Sequence, residues 1–137
     1  MRIALTYSTI PAYGERSSLH LQYDAQVSSR AALWIHVPGQ LYQDDSSRPW
    51  WLDYREQGTE PEWLNEQTTR IINNLVRGLK LEAVPQFAAN SQGDLKELEF
   101  MAGMNRVKYL WCESLPPQWQ DFAALQAFFD GFIEAKK

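Results

Sequence analysis

The sequence predicts an α+β domain: a mostly antiparallel sheet in the order ββββ-α-ββ-α, with two amphipathic helices packed on one face. Three observations carry that expectation. Short segments of alternating polarity are separated by turn residues rather than by helices, which argues against a doubly wound parallel sheet. Two longer segments repeat apolar residues at helical spacing. One hairpin register is specified twice, by hydrophobicity and by charge.

Residues 1–8 set Ile3, Leu5 and Tyr7 on one face and Arg2, Ala4 and Thr6 on the other, the period of a strand with one buried side. A loop with Pro11 and Gly14 leads to residues 18–24, where Leu19, Leu21 and Tyr23 alternate with Ser18, His20 and Gln22. These two strands form a hairpin. A third strand, 31–37, is apolar on both sides, with Leu33, Ile35 and Val37 opposing Ala32 and Trp34. It therefore takes a central place or lies beneath a second element. The polar stretch 40–58 is irregular apart from Trp50-Trp51-Leu52-Asp53-Tyr54, read as a weak fourth strand.

Thr59-Glu60-Pro61-Glu62 matches a capping box and predicts the start of the first helix. Leu64, Ile71, Ile72, Leu75 and Val76 form its apolar stripe, and Gly78 stands where a left-handed cap ends it. In the next hairpin, a Gly103-Met104 turn opposes Phe100 to Val107 and Leu98 to Tyr109, and Glu99 to Lys108 on the other face. The same register sets Cys112 against Leu95. The last helix starts at Pro116-Pro117 and carries Trp119, Phe122, Leu125, Phe129, Phe132 and Ile133 as a broad stripe.

The 137 residues suit one globular domain over 1–137. Thirteen basic residues against seventeen acidic ones give a net charge of −4, and no basic patch is dense enough to displace counterions from phosphates. Nucleic acid is excluded as a partner, and a basic protein surface suits this one better. No run of eighteen apolar residues predicts a membrane span. The N-terminus reads as a strand rather than a signal peptide, and a lone Cys112 fits a reducing compartment, so the cytoplasm is the expected location.

No motif names a reaction, a cofactor or a family. His20, His36 and Cys112 stand at no metal-ligand spacing, so neither metal nor cofactor is expected. There is no serine-nucleophile elbow and no glycine-rich phosphate loop. His20 falls on the outward side of its strand and reads as a solvated residue. Asp44 and Asp45, with Asp53 and Glu56 nearby, lack calcium-loop spacing and read as turn-forming acids.

The distinctive stretch is 42–55, where Tyr42, Trp50, Trp51 and Tyr54 mix with Asp44, Asp45, Arg48, Asp53 and Arg55. If extended, it turns Trp50, Leu52 and Tyr54 one way and Trp51, Asp53 and Arg55 the other. Trp, Tyr and Arg dominate interface hot spots. The leading expectation is an acidic protein-binding module, of the inhibitor or immunity type, that occludes its partner rather than catalysing a reaction. Its binding residues are then Tyr42, Asp44, Asp45, Trp51, Asp53 and Arg55. The alternative is a small-molecule-binding domain or modest enzyme with an aromatic pocket of Trp34, His36, Trp50 and Tyr54. A third is self-association through the face around Trp34 and Leu110.

Overall fold

The computed structural model describes residues 2–26, 29–39, 50–56, 58–79, 93–112 and 114–137, with Asp53 through its backbone alone. It is an α+β arrangement built on a six-stranded sheet in the order β4-β3-β2-β1-β5-β6, every neighbouring pair antiparallel. The strands are β1 (Arg2–Ile10), β2 (Ser17–Asp24), β3 (Ala32–His36), β4 (Glu62–Trp63), β5 (Leu95–Ala102) and β6 (Asn105–Cys112). Helices α1 (Trp50–Glu56), α2 (Glu66–Arg77) and α3 (Ala123–Glu134) complete the described elements, with a 3₁₀ segment at Pro117–Phe122.

Alternation places the strand residues as the sequence indicates. Leu5 faces Leu21, Tyr7 faces Leu19 and Leu21 faces Leu33 across one side of the sheet, and all are buried. In the β5–β6 hairpin, Phe100 opposes Val107, Leu98 opposes Tyr109, Glu99 opposes Lys108 and Leu95 opposes Cys112. Gly103 adopts φ 61° at the turn, a conformation that costs a side chain with a Cβ but not glycine.

The inner face meets α2 and α3. Ile72 joins Leu125, Phe129 and Ile133 in one core with the strand residues. Tyr109 and Trp111 receive Trp119 edge-on, with centroids at 5.3 and 6.4 Å. The Tyr7 hydroxyl donates to Asp130 Oδ1 at 2.8 Å, joining β1 to α3. Burial and the Asp130 charge both raise the Tyr7 pKa, so this phenol remains a donor.

Four expectations are corrected. The Trp50 run is helical, not a strand, because Trp50 and Tyr54 at i and i+4 share a helical face that can lie flat on the sheet. The chain order is accordingly βββ-α-β-α-ββ-α, with one helix on the outer face as well. The first long helix does not start at Thr59. Glu62–Trp63 pairs with Ala32 and Leu33 instead, and α2 begins after Asn65, whose Oδ1 accepts the Thr68 N–H at 2.7 Å. Such a cap is worth about 1 kcal/mol. Gly78 ends α2 at φ −82°, in the right-handed region, with its N–H bonded back to Asn74 O. Finally, Pro117–Phe122 is a 3₁₀ segment before α3, irregular at Trp119. Its i, i+3 alignment buries Trp119 and Phe122 on the same side.

Candidate binding groove on the outer face

The outer face is built from residues that alternate with the core. Registers align Thr6, His20 and Trp34 in one row, and Ser8, Ser18 and His36 in the next. Paired residues of antiparallel strands share a face. Helix α1 lies across these rows and forms a second aromatic cluster of Ala32, Trp34, Trp50 and Tyr54, with Trp51 against it.

Two histidines anchor this helix. The His20 ring stacks on Trp51 with centroids 3.8 Å apart and planes 6° from parallel. The Tyr54 hydroxyl and His36 Nδ1 are hydrogen-bonded, and Trp50 meets Tyr54 edge-on at 5.4 Å. After α1, the chain turns back through Thr59 N–H to Tyr54 O at 2.9 Å, and Trp34 Nε1 donates to Thr59 O at 3.4 Å.

His20 corrects its sequence expectation of a solvated residue: it is fully buried. Gln22 Nε2 lies 2.9 Å from His20 Nε2, and His20 Nδ1 lies 2.8 Å from Thr6 Oγ1. The Gln22 amide donates to Nε2, so the neutral tautomer carries its proton on Nδ1 and donates to Thr6. Burial lowers the His20 pKa to about 3. With both nitrogens engaged and the ring neutral, His20 offers no site for proton transfer. Burial also lowers the His36 pKa, with Glu15 opposing and Arg16 reinforcing the shift.

The four residues of the expected pocket, Trp34, His36, Trp50 and Tyr54, do come together. They fill the space with one another: all four are buried. The open space lies beside them. A groove of about 420 Å³ runs between the ends of β1 and β2 and the α1–β4 connection, lined by Arg2, Gln22, Arg30, Trp34, Arg55 and Trp63 among others. Arg30 shapes its far wall: Nε donates to Leu64 O and a terminal nitrogen to Trp63 O, both at 3.0 Å. An Arg side chain has five donors, so part of the guanidinium fork remains for a bound group. Trp63 stands 54% exposed on the edge strand, and the Glu62 beside it pairs with Lys136.

Of the binding residues expected from sequence, Arg55 lines the groove and Trp51 is half-buried on His20. Asp53 belongs to α1, and Tyr42, Asp44 and Asp45 lie outside the described residues. Trp34, expected on a self-association face, is covered by α1 to 6% exposure. Sequence reasoning missed Arg2, Gln22, Arg30 and Trp63 as one constellation. An exposed tryptophan two residues after Pro61 was the available signal.

Among the described residues, no three His, Cys, Asp or Glu side chains group as a metal site, and no helix is long and apolar enough to cross a membrane. No protein-family model matches the sequence, and no curated protein is significantly similar to it.

Proposed function

We propose that this protein is a binding module that engages a partner protein through the outer face, at the groove beside α1, and acts by occlusion in the manner of an inhibitor or immunity-type protein. One observation carries it. The groove presents an exposed tryptophan and three arginines, Trp63, Arg2, Arg30 and Arg55, on an open concave surface, with the buried Trp34 in its wall. These residue types supply most interface binding energy when a partner desolvates them.

Charge indicates what enters. Against the three arginines the groove wall carries two acids, Asp24 and Glu60, so it is locally basic although the chain as a whole is at −4. A carboxylate on the partner, flanked by an apolar side chain to meet Trp63, suits it. A basic partner surface remains the proposed match for the chain's acidic remainder, including Asp44 and Asp45.

The test is affinity capture from native lysate on the wild-type protein, on Trp63→Ala and Arg55→Glu, and on Met104→Ala as control. Met104 is fully exposed at the β5–β6 turn, on the opposite flank of the sheet from β4. The proposal expects one protein retained by the wild type and the control, lost from both groove variants, and binding again as a purified pair. Retention by all four proteins, or by none, contradicts it.

A further inference from the structure

Helix α1 packs on the outer face as a unit of its own. Ala32, Trp34, Trp50 and Tyr54 form a buried group separate from the inner core, with the sheet between the two. The helix has seven residues, and isolated helices of that length are unstable in water. It can therefore leave the sheet without opening the core, as locally stabilised elements do. Its position decides the groove as well, because Arg55 near its end and Gly58, Thr59 and Glu60 after it line that space.

Two neutral imidazoles hold this helix down. His20 is fully buried beneath the Trp51 indole, with ring centroids 3.8 Å apart. The described side chains that meet it are Thr6 from β1, Gln22 from β2, Trp34 from β3 and Trp51 from α1. None of them carries a charge. A buried charge without a counter-ion is costly, and the attraction of the indole face for a cation offsets only part of the lost hydration. His36 is also buried, bonds Tyr54 through Nδ1 and lies against Trp50. Ser18 faces it from β2. The charged groups that act on it, Glu15 and Arg16 of the β1–β2 connection, have opposite signs and partly cancel. Tyr54 can accept from a protonated Nδ1, so His36 resists protonation less than His20 does.

The direction of the coupling follows from burial. It lowers the His20 pKa to about 3 while α1 is seated, whereas an exposed imidazole titrates near 6.5. Above that value both states are neutral and α1 stays seated. Below it the released state takes up the proton first, so each further drop in pH favours release. Burial lowers the His36 pKa too, which acts in the same sense.

We propose that α1 is an acid-released strap: protonation of His20, supported by His36, lifts it from the outer face and takes the groove apart. Loss of a bound partner on acidification rests on the binding function proposed for the groove, whereas release of α1 does not.

Amide hydrogen exchange of the free full chain at pH 7, 6 and 5, corrected for intrinsic exchange rates, tests the release. The amides of Tyr54, Arg55 and Thr59 report on α1, the last through its bond to Tyr54 O. Their protection is expected to fall roughly twentyfold from pH 7 to pH 5. At every pH it is expected to stay well below that of Leu5 and Leu98 in the core. The Ala135 amide, bonded to Gly131 O at the end of α3, frays without any histidine and is expected to keep its protection. His20→Gln is expected to lose most of the pH dependence at α1, and His20→Gln with His36→Gln all of it. The wild-type comparison decides the matter even where a variant fails to fold. Protection of α1 that is unchanged between pH 7 and pH 5 overturns the proposal. So do α1 amides that exchange no faster than Leu5 and Leu98, which would mean that α1 opens only when the whole chain unfolds. Equal pH dependence in the wild type and the double variant overturns it as well. No partner is present, so the result is independent of the capture experiment.

Discussion

The imidazole of His20 lies flat on the indole of Trp51, with ring centroids 3.8 Å apart and an interplanar angle of 6°. This contact joins the middle of the sheet to α1, a helix of seven residues that is too short to be stable by itself. The packing of Trp50, Trp51 and Tyr54 on the outer face therefore holds α1 in place.

Trp51→Ala removes that stack and part of the cover over His20. Stacked rings contribute about 0.5–1.5 kcal/mol beyond their buried area, and the half-buried indole adds its lost burial. The expected loss of unfolding free energy is about 2 kcal/mol in urea titrations. The His20 resonance should then titrate closer to its ordinary value near 6.5.

Protonation gives a second prediction. Burial lowers the folded His20 pKa to about 3 from its ordinary 6.5, so between these values the unfolded chain binds the extra proton. Stability must therefore fall as pH drops below 6.5, and the effect reaches its limit near pH 3. At pH 5 the His20 contribution is of order 2 kcal/mol. Urea midpoints at pH 7 and pH 5 should drop further for the wild type than for His20→Gln. Parallel drops would show that His20 is not the group responsible.

Two hydroxyls near α2 should behave in opposite ways. Thr69→Val leaves the buried Ala31 N–H without its acceptor and is expected to cost about 1–3 kcal/mol. Tyr23→Phe removes a hydroxyl that has no partner among the described residues. It should be neutral or slightly stabilising. Thermal unfolding of the two variants side by side checks the contrast.

The Tyr7–Asp130 bond supplies a fourth. Asp130→Ala takes the charged acceptor from a fully buried phenol hydroxyl that also bonds Thr9 and Gln126, with an expected loss of about 1–3 kcal/mol. Tyr7→Phe in the same background should recover part of it, because the phenol proton then no longer lacks its carboxylate acceptor. Chemical denaturation of the single and double variants measures that coupling.

Local patterns made the strands legible and long-range ones did not. The β5–β6 register could be read because Glu99 and Lys108 sit opposite each other across a short turn, and both signals lie within eighteen residues. Alternation also placed His20 on the correct face. It could not reveal that α1, thirty residues onward, returns to cover that face. The aromatic run at Trp50 looked like a strand by composition, but its spacing is that of a helix with one buried side. Thr59 carried a plausible cap, while the pairing of Glu62 and Trp63 with β3 delayed the helix to Asn65. The groove was least visible, since Arg2, Arg30, Arg55 and Trp63 come from four separate elements or connections.

Whether the outer face is the binding surface is tested most directly by hydroxyl-radical footprinting of the captured complex against the free protein. The account predicts that oxidation of Trp63 falls close to background on binding, while Met104, at the β5–β6 turn on the opposite flank of the sheet from β4, stays as reactive as before. Undiminished oxidation of Trp63, with protection falling instead around Met104, would contradict it.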